Sequence, residues 1–406
     1  MQRKKQLARP VFKWLAFGRH RDEVACSRSV VLARHSQAKK LASHFETQGP
    51  NFGRRAPGLV GNWPRLTTRR TRRASITRGG IDDMKQETVR YRLARRVRSL
   101  PAETVSRLLG MPRISRRLNE AYETARASYR PRLPKLPALD MEIVAGLEKN
   151  GVHITSLDEL RLPGTQALWT SATEIANTYS LRASAGEFAG EYTVRVGADD
   201  LMRHPHIVGW PLQDRILDIV ETYLGLPSAY GTLNFLYTLA DGRQVAARRW
   251  HRDLEDRRMV KVVVYLHEVD MDAGPLEILH CSFPGSDALD GSNFPILTQE
   301  MLEQRLGTTL NSGDVTTCTG KAGTVIFTDV ARRYHRGRPA IARDRCALFY
   351  NFFSRAPLRP FFCERHVFSP GQIRELAADQ SARARDCMLW RSNVPLLARL
   401  VPSARL

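Results

Sequence analysis

The stretch Trp250-His251-Arg252-Asp253 decides how the rest of the sequence is interpreted. His251 and Asp253 are two positions apart, and residues two apart in an extended segment point to the same face. One imidazole and one carboxylate on one face supply two ligands of a 2-His-1-carboxylate triad, which binds non-haem Fe(II) and leaves the opposite positions open. The third ligand must then be a distant histidine near the end of a later strand. We expect it to be His335, just after the apolar segment 323–328.

An H-x-D pair alone occurs by chance in many chains, so the segments around it matter. These are, in chain order, Tyr230–Tyr237, Lys261–Leu266, Asp272–Glu277, Ser282–Ser286 and Arg345–Asn351. Together they resemble the phytanoyl-CoA dioxygenase family of Fe(II)/2-oxoglutarate-dependent oxygenases. The W-H-R-D-x-E-D-R-R-x-x-K-V pattern is similar to that of bacterial members, and the resemblance covers roughly residues 140–355.

This resemblance implies a fold, a reaction and a set of site residues. The reaction would consume O₂, decarboxylate 2-oxoglutarate to succinate and hydroxylate an unactivated C–H of a small-molecule substrate. Fe(II) would be held by His251, Asp253 and His335, and 2-oxoglutarate would be the cosubstrate. Arg345, ten residues after His335, matches the family's anchor for the far carboxylate, with Arg343 as the second choice. Related halogenases lack the carboxylate at the position of Asp253, so its presence favours hydroxylation.

The pattern of the chain from Ala229 to Phe353 predicts the same fold. Short alternating or apolar segments are separated by turn signals and few helices, which is typical of an antiparallel barrel or jelly roll. We therefore expect a mainly β protein with flanking helices, and the family resemblance implies that it is a cupin-like double-stranded β-helix. Residues 284–322 are polar and long, and we expect them over the mouth of the site. Helices are expected at 141–149, 212–224, 299–306 and 370–378.

Four regions are expected along the chain. Residues 1–83 form a basic extension that is partly disordered or non-native. Residues 84–138 form a helical segment that ends in a Pro-rich, extended linker at 129–137. Residues 139–363 form the oxygenase domain, and residues 364–406 form a helical C-terminal tail.

The basic charge of the chain is confined to its N-terminal third. The net charge is +22, and residues 1–135 hold 33 Lys and Arg against 9 Asp and Glu. Three interpretations of residues 1–83 stay open: an arm for nucleic acid or anionic surfaces, a transit segment, or translation that starts at Met84, which an intact mass would decide. The slightly acidic remainder argues against nucleic acid as a partner of the catalytic part. The alternative function is a non-catalytic barrel with an Arg-rich binding arm.

Cysteine usage and hydropathy indicate the compartment. The six cysteines show no C-x-x-C pair and no regular spacing, so we expect reduced, mostly buried thiols in a cytoplasmic protein. No apolar run approaches the length of a membrane span, and the N-terminus lacks the apolar centre and small-residue cleavage site of a signal peptide. Neither the substrate nor the oligomeric state follows from the sequence.

Several further polar residues are weighed as site candidates. Lys261 is the lone charge in an apolar strand and would either help to bind the cosubstrate or extend towards solvent. Glu255 and Asp256 are expected to form salt bridges with Arg257 or Arg258. We expect four other histidines to be structural or exposed: His153, His267, His280 and His366. Three residues are unranked candidates for hydrogen bonds in the pocket: Asn234, Tyr237 and Asn351.

Overall fold

Two antiparallel sheets form the centre of the chain. The computed structural model describes residues 99–280, 296–363 and 367–403. The strands are β1 Val152–Ser156, β2 Thr193–Arg195, β3 Ser228–Thr238, β4 Met259–Tyr265, β5 Leu276–Leu279, β6 Val315–Cys318, β7 Thr324–Thr328, β8 His335–Gly337 and β9 Arg345–Ser354. The six-stranded sheet has the order β1-β7-β4-β9-β3-β2, and the three-stranded sheet has the order β6-β5-β8.

The chain passes repeatedly from one sheet to the other. β4 lies in the large sheet, β5 and β6 in the small one, β7 in the large one, β8 in the small one and β9 in the large one. Two isolated antiparallel bridges, Trp250 with Leu297 and His251 with His335, place the segment 250–251 beside β8. The H-x-D stretch is thus held at the open edge of the small sheet.

Helices pack around the sheets. They are α1 (residues 99–109), α2 Pro112–Tyr129, α3 Ala138–Asn150, α4 Leu157–Leu160, α5 Thr165–Ser184, α6 Ala198–Met202, α7 Pro205–Gly209, α8 Asp214–Leu224, α9 Gln299–Leu306, α10 Pro370–Ala378, α11 Ala382–Met388 and α12 Leu396–Arg399. Several of them, including α3, α5, α8, α10 and α11, share one core with a face of the large sheet. Val262 and Val264 of β4 face this helical layer, in one core with Leu217 and Leu224 of α8. Burial of this face stabilises the sheet by the hydrophobic effect.

The other face of the large sheet packs against the small sheet. Val263 and Tyr265 of β4 share a buried cluster with Leu276 and Ile278 of β5. Because side chains alternate along a strand, odd-numbered residues of β4 face the space between the sheets. Lys261 belongs to this set, and it is the least buried residue of the strand.

Most predicted elements are present with small changes at their ends. The helices expected at 299–306 and 370–378 have those bounds. α3 ends at Gly151, whose φ of 73° is the left-handed conformation that glycine adopts without strain. Within the 284–322 segment, residues 315–318 form a strand that pairs with β5, which the sequence did not indicate. In the linker, residues 130–132 form a single 3₁₀ turn, so only 133–137 are extended.

The N-terminal helices pack against the loop that follows the H-x-D stretch. Arg359, which is 1% exposed, donates from Nε to Ser106 Oγ of α1 at 2.9 Å and from Nη1 to the carbonyl of Leu254 at 3.0 Å. Ala102 and Leu254 share a small apolar cluster with Phe361. The expectations for residues 1–83 and for Met84 lie outside the described residues.

The remaining sequence expectations concern thiols and membranes. Of the described cysteines, all four are buried and free: Cys318, Cys346, Cys363 and Cys387. Cys26 and Cys281 lie outside the described residues. Within the described part of the chain, no helix combines the length and apolar character that a membrane crossing requires.

Candidate metal centre

His251, Asp253 and His335 converge at one point between the sheets. One ligand atom from each lies within 4.8 Å of the other two. Asp253 Oδ1 is 3.9 Å from His251 Nε2 and also 3.9 Å from His335 Nε2. The two imidazole rings are 4.2 Å apart between centroids. The structure therefore brings together the three residues that the sequence analysis chose as ligands.

The backbone holds the two histidines side by side. The amide of His251 donates to the carbonyl of His335 at 3.0 Å, and the amide of His335 donates to the carbonyl of His251 at 2.9 Å. Directly opposite residues in an antiparallel pair point to the same side. The amide of Asp253 donates to the carbonyl of Val330 at 2.8 Å, which places the carboxylate beside the same pair.

Backbone carbonyls also orient both imidazole rings. His251 Nδ1 is 2.8 Å from the carbonyl of Arg249, and His335 Nδ1 is 3.3 Å from the carbonyl of Arg333. A carbonyl only accepts, so each Nδ1 must carry the proton when the ring is neutral. This tautomer leaves the lone pair of each Nε2 available to a metal, as in metal-binding histidines whose second nitrogen is held by a carbonyl.

His335 has the environment of a ligand rather than that of a surface histidine. Its Nε2 is buried and has no hydrogen-bond partner among the described residues. Burial, followed by the neighbouring His251, lowers the pKa of His335 well below its usual value. A neutral ring with a buried, unsatisfied lone pair is costly without a partner, and a divalent ion would satisfy it. The donor set therefore fits the predicted ferrous ion.

Lys261 completes the surroundings of the carboxylate. Its Nζ lies 2.7 Å from Asp253 Oδ2, and the side chains are 16% and 10% exposed. The sequence shows Lys261 as a lone charge in an apolar strand but does not indicate its partner. The alternation of side chains along the strand was a usable clue, because it places Lys261 on the same face as Val263 and Tyr265, which lie between the sheets.

Arg345 opens β9 and is buried between the sheets, near the triad. Its guanidinium donates to the carbonyl of Gly274 and lies over the ring of Phe349. A Cβ at Gly337 would lie 3.1 Å from its Nη2, so the glycine leaves room for the guanidinium. Gly337 is two residues after His335 on β8, a distance of about 7 Å along the strand.

Trp250, the residue before His251, is hydrogen-bonded to α9, the helix within residues 284–322. Trp250 Nε1 donates to Gln299 Oε1 of α9 at 2.8 Å, and Trp250 exchanges backbone hydrogen bonds with Leu297. Arg336 lies 4.5 Å above the Trp250 ring and forms an ion pair with the buried Glu277 at 2.5 Å. The described part of residues 284–322 is therefore fixed next to the H-x-D stretch.

Asp256 is held by hydrogen-bond donors rather than by the expected salt bridges with Arg257 or Arg258, although the charge of Arg257 attracts its carboxylate. Asp256 is buried, and its carboxylate accepts hydrogen bonds from Ser354 and from the amides of Arg257 and Leu358. Arg258 instead pairs with Glu148 of α3. Backbone donors reach the carboxylate because the loop folds back onto the end of β9.

The other candidate residues do not join the triad. His267 Nε2 accepts from the amide of Cys346 at 2.8 Å, and His280 Nδ1 lies 3.1 Å from the carbonyl of Gly313. Both are therefore structural, as expected. His153 is half-buried rather than exposed, and His366 lies outside the described residues.

Of the three pocket candidates, one is engaged elsewhere and two face the space between the sheets. Tyr237 donates to Asp344 Oδ2 at 2.7 Å. Asn351 is paired with Lys261 across β4 and β9 and so shares its inward face. Asn234 is paired with Phe349, and its buried Oδ1 has no hydrogen-bond partner among the described residues.

No protein-family model and no curated protein matches this sequence. Among solved structures, the epimerase SnoN in complex with Fe3+, alpha ketoglutarate and nogalamycin RO is 17% identical, with 54% of this chain and 86% of that chain covered and a TM-score of 0.35. HygX from Streptomyces hygroscopicus, with nickel, 2-oxoglutarate and hygromycin B bound, is 15% identical, covers 54% and 88%, and has a TM-score of 0.33.

A third solved structure is EctD from S. alaskensis with 2-oxoglutarate and 5-hydroxyectoine. It is 18% identical, with 57% of this chain and 84% of that chain covered and a TM-score of 0.36. The SnoN structure contains Fe3+ and alpha ketoglutarate, the HygX structure nickel and 2-oxoglutarate, and the EctD structure 2-oxoglutarate. These TM-scores are too low to support an argument about the fold. The fold is described instead from the strand order of this chain.

Proposed function

We propose that the protein is an Fe(II)/2-oxoglutarate-dependent dioxygenase that hydroxylates an unactivated C–H of a small molecule. The observation that carries the proposal is the convergence of His251, Asp253 and His335, with Nε2 of both rings 3.9 Å from one carboxylate oxygen. Two imidazoles and one carboxylate on one side of an ion are the donor set of non-haem Fe(II) oxygenases.

The strand order supports a double-stranded β-helix as the scaffold of this site. With segment 250–251 counted beside β8, each sheet contributes four strands of such a barrel: β3, β9, β4 and β7 in one, and 250–251, β8, β5 and β6 in the other. The ligands lie at the edge of the second sheet and face the first. Closing two sheets around a core provides a rigid, enclosed cavity for a metal.

Arg345 is the residue that we propose for the far carboxylate of 2-oxoglutarate. Its guanidinium is buried and lies beside Gly337, about 7 Å along β8 from the ligand His335. That separation suits a five-carbon diacid whose other end chelates the metal. Arginine also offers a planar fork of donors that matches a carboxylate.

Each residue then has a defined task in the reaction. When bound, the ferrous ion with 2-oxoglutarate couples the decarboxylation of the cosubstrate to oxidation of the substrate by O₂. His251, Asp253 and His335 would hold the ion on one side and leave the other side for reactants. Arg345 orients the cosubstrate, and the apolar residues between the sheets exclude water. Asp253 occupies the position that halogenases leave for halide, which favours hydroxylation.

Iron-dependent formation of succinate from 2-oxoglutarate tests this function. The purified protein should release succinate with Fe(II), O₂ and 2-oxoglutarate, and a suitable substrate should raise the rate. His251→Ala should abolish this release, whereas the control His267→Ala should not, because His267 bonds a backbone amide away from the triad. Equal succinate release by wild type and His251→Ala would overturn the proposal.

A further inference from the structure

The two oxygens of the Asp253 carboxylate lie in different surroundings. Oδ1 is equidistant from Nε2 of His251 and of His335, at 3.9 Å. Oδ2 lies 2.7 Å from Lys261 Nζ, within hydrogen-bond distance. Only Oδ1 therefore occupies the position of a third donor towards the point that the imidazoles face.

Lys261 is placed for this contact by the large sheet. It lies opposite Thr328 of β7 and opposite Asn351 of β9, in the middle of the sheet. Directly opposite residues share a face, and Val263, two residues later, lies in the core between the sheets. The ammonium is thus directed inwards to Asp253 from a strand that cannot move independently of its two neighbours.

A charge-assisted hydrogen bond to Oδ2 affects how a carboxylate can bind a metal. A free carboxylate can bind through one oxygen or through both. An ion with six coordination positions that is held by three protein donors would keep three positions, enough for a chelating 2-oxo acid and O₂. A carboxylate bound through both oxygens would remove one of these positions.

We propose that Lys261 is a positioning residue that holds Asp253 as a ligand through Oδ1 alone and so preserves the coordination position needed for O₂. This inference rests on the proposed function, because it assumes that the triad binds a metal. It concerns the number of open positions on the ion, not the strength of metal binding. A lysine that only balanced the charge of Asp253 would leave that number unchanged.

The test counts water ligands on Mn²⁺, which can replace Fe(II) without reacting with O₂. The Mn²⁺-loaded protein is studied by electron paramagnetic resonance in ¹⁷O-enriched water, with neither substrate nor 2-oxoglutarate. Wild type should hold three waters and Lys261→Met two, because the released Oδ2 also reaches the ion. Lys261→Arg, which still donates to Oδ2, should hold three. The matched control Lys321→Met, which removes an exposed lysine, should also hold three.

Each outcome of this count has a defined meaning. Three or more waters in Lys261→Met would overturn the inference and leave the proposed function intact. Failure of wild type to bind Mn²⁺ would overturn both. If Lys261→Met does not fold, infrared difference spectra of wild type with ¹³C-labelled aspartate decide the matter. A wide separation of the carboxylate stretches supports binding through one oxygen, and a narrow separation overturns it.

Discussion

His251 and His335 lie opposite each other in an antiparallel backbone pair, with reciprocal hydrogen bonds of 3.0 and 2.9 Å. The pair determines the position of both rings before any metal binds, because directly opposite residues point to the same side. The turn that follows His251 positions Asp253 beside the two rings, and the large sheet positions Lys261 next to Asp253. The site is therefore preorganised by backbone hydrogen bonds and by the ion pair of Asp253 with Lys261.

Removal of the Asp253 carboxylate should weaken metal binding and destabilise the protein. We expect Asp253→Ala to lower Mn²⁺ affinity by about a hundredfold or more, since loss of an outer-shell partner alone typically costs 10- to 100-fold. The mostly buried Lys261 would lose its partner, at a cost of about 1–3 kcal/mol. Calorimetric titration and urea unfolding measure the two effects. Asp386→Ala is the control, because Asp386 is 68% exposed. Wild-type Mn²⁺ affinity in Asp253→Ala would remove this residue from the ligand set.

Arg345 should determine the affinity for 2-oxoglutarate. We expect Arg345→Met to raise the KM for 2-oxoglutarate about 10- to 100-fold, the loss that one or two charge-assisted hydrogen bonds imply. Arg345→Lys should recover part of it. Arg343 is a matched control, because it is exposed and pairs with Asp270. A larger effect of Arg343→Met than of Arg345→Met would show that the anchor has been assigned to the wrong arginine.

The triad could be predicted from sequence because its signals are local. The H-x-D spacing and the apolar strand before His335 indicate the ligands without knowledge of packing. The partner of Lys261 could not be predicted, because Asp253 reaches it only when the intervening turn folds back. β6 was missed because, of its four residues, only Cys318 is buried. The sequence did not indicate the hydrogen bonds that hold Asp256, because Ser354 and Leu358 are 98 and 102 positions away from it.

The contact between α1 and the loop that follows the H-x-D stretch is a second feature that the sequence did not indicate. Ser106 and Arg359 are 253 positions apart, and a buried arginine is not evident from composition. Ser106→Ala would leave Arg359 Nε without its partner, so we expect a loss of about 1–3 kcal/mol in the free energy of unfolding.

Urea unfolding measures this change. Ser128→Ala on the exposed face of α2 is the control, and it should stay within about 0.5 kcal/mol of wild type. Equal stability of Ser106→Ala and Ser128→Ala would mean that α1 does not support the loop through this hydrogen bond.

The lowered pKa of His335 predicts how the stability of the metal-free protein depends on pH. The unfolded chain takes up a proton at this residue near pH 6.5, whereas burial keeps the folded pKa well below that value. Below about pH 6.5 the unfolded state binds more protons, so the free energy of unfolding falls as the pH drops. Urea unfolding at about pH 7.5 and 5.5, after chelation of metal, measures the fall. His335→Gln should show a smaller decrease, and a decrease as large as that of wild type would contradict this explanation.

The most direct test of the central claim, that His251, Asp253 and His335 hold one ferrous ion that 2-oxoglutarate chelates, is an anaerobic titration followed by visible absorption. We predict a metal-to-ligand charge-transfer band that requires both Fe(II) and 2-oxoglutarate, saturates at one iron per chain and is lost in His335→Ala. Absence of the band in wild type, or an undiminished band in His335→Ala, would contradict the account.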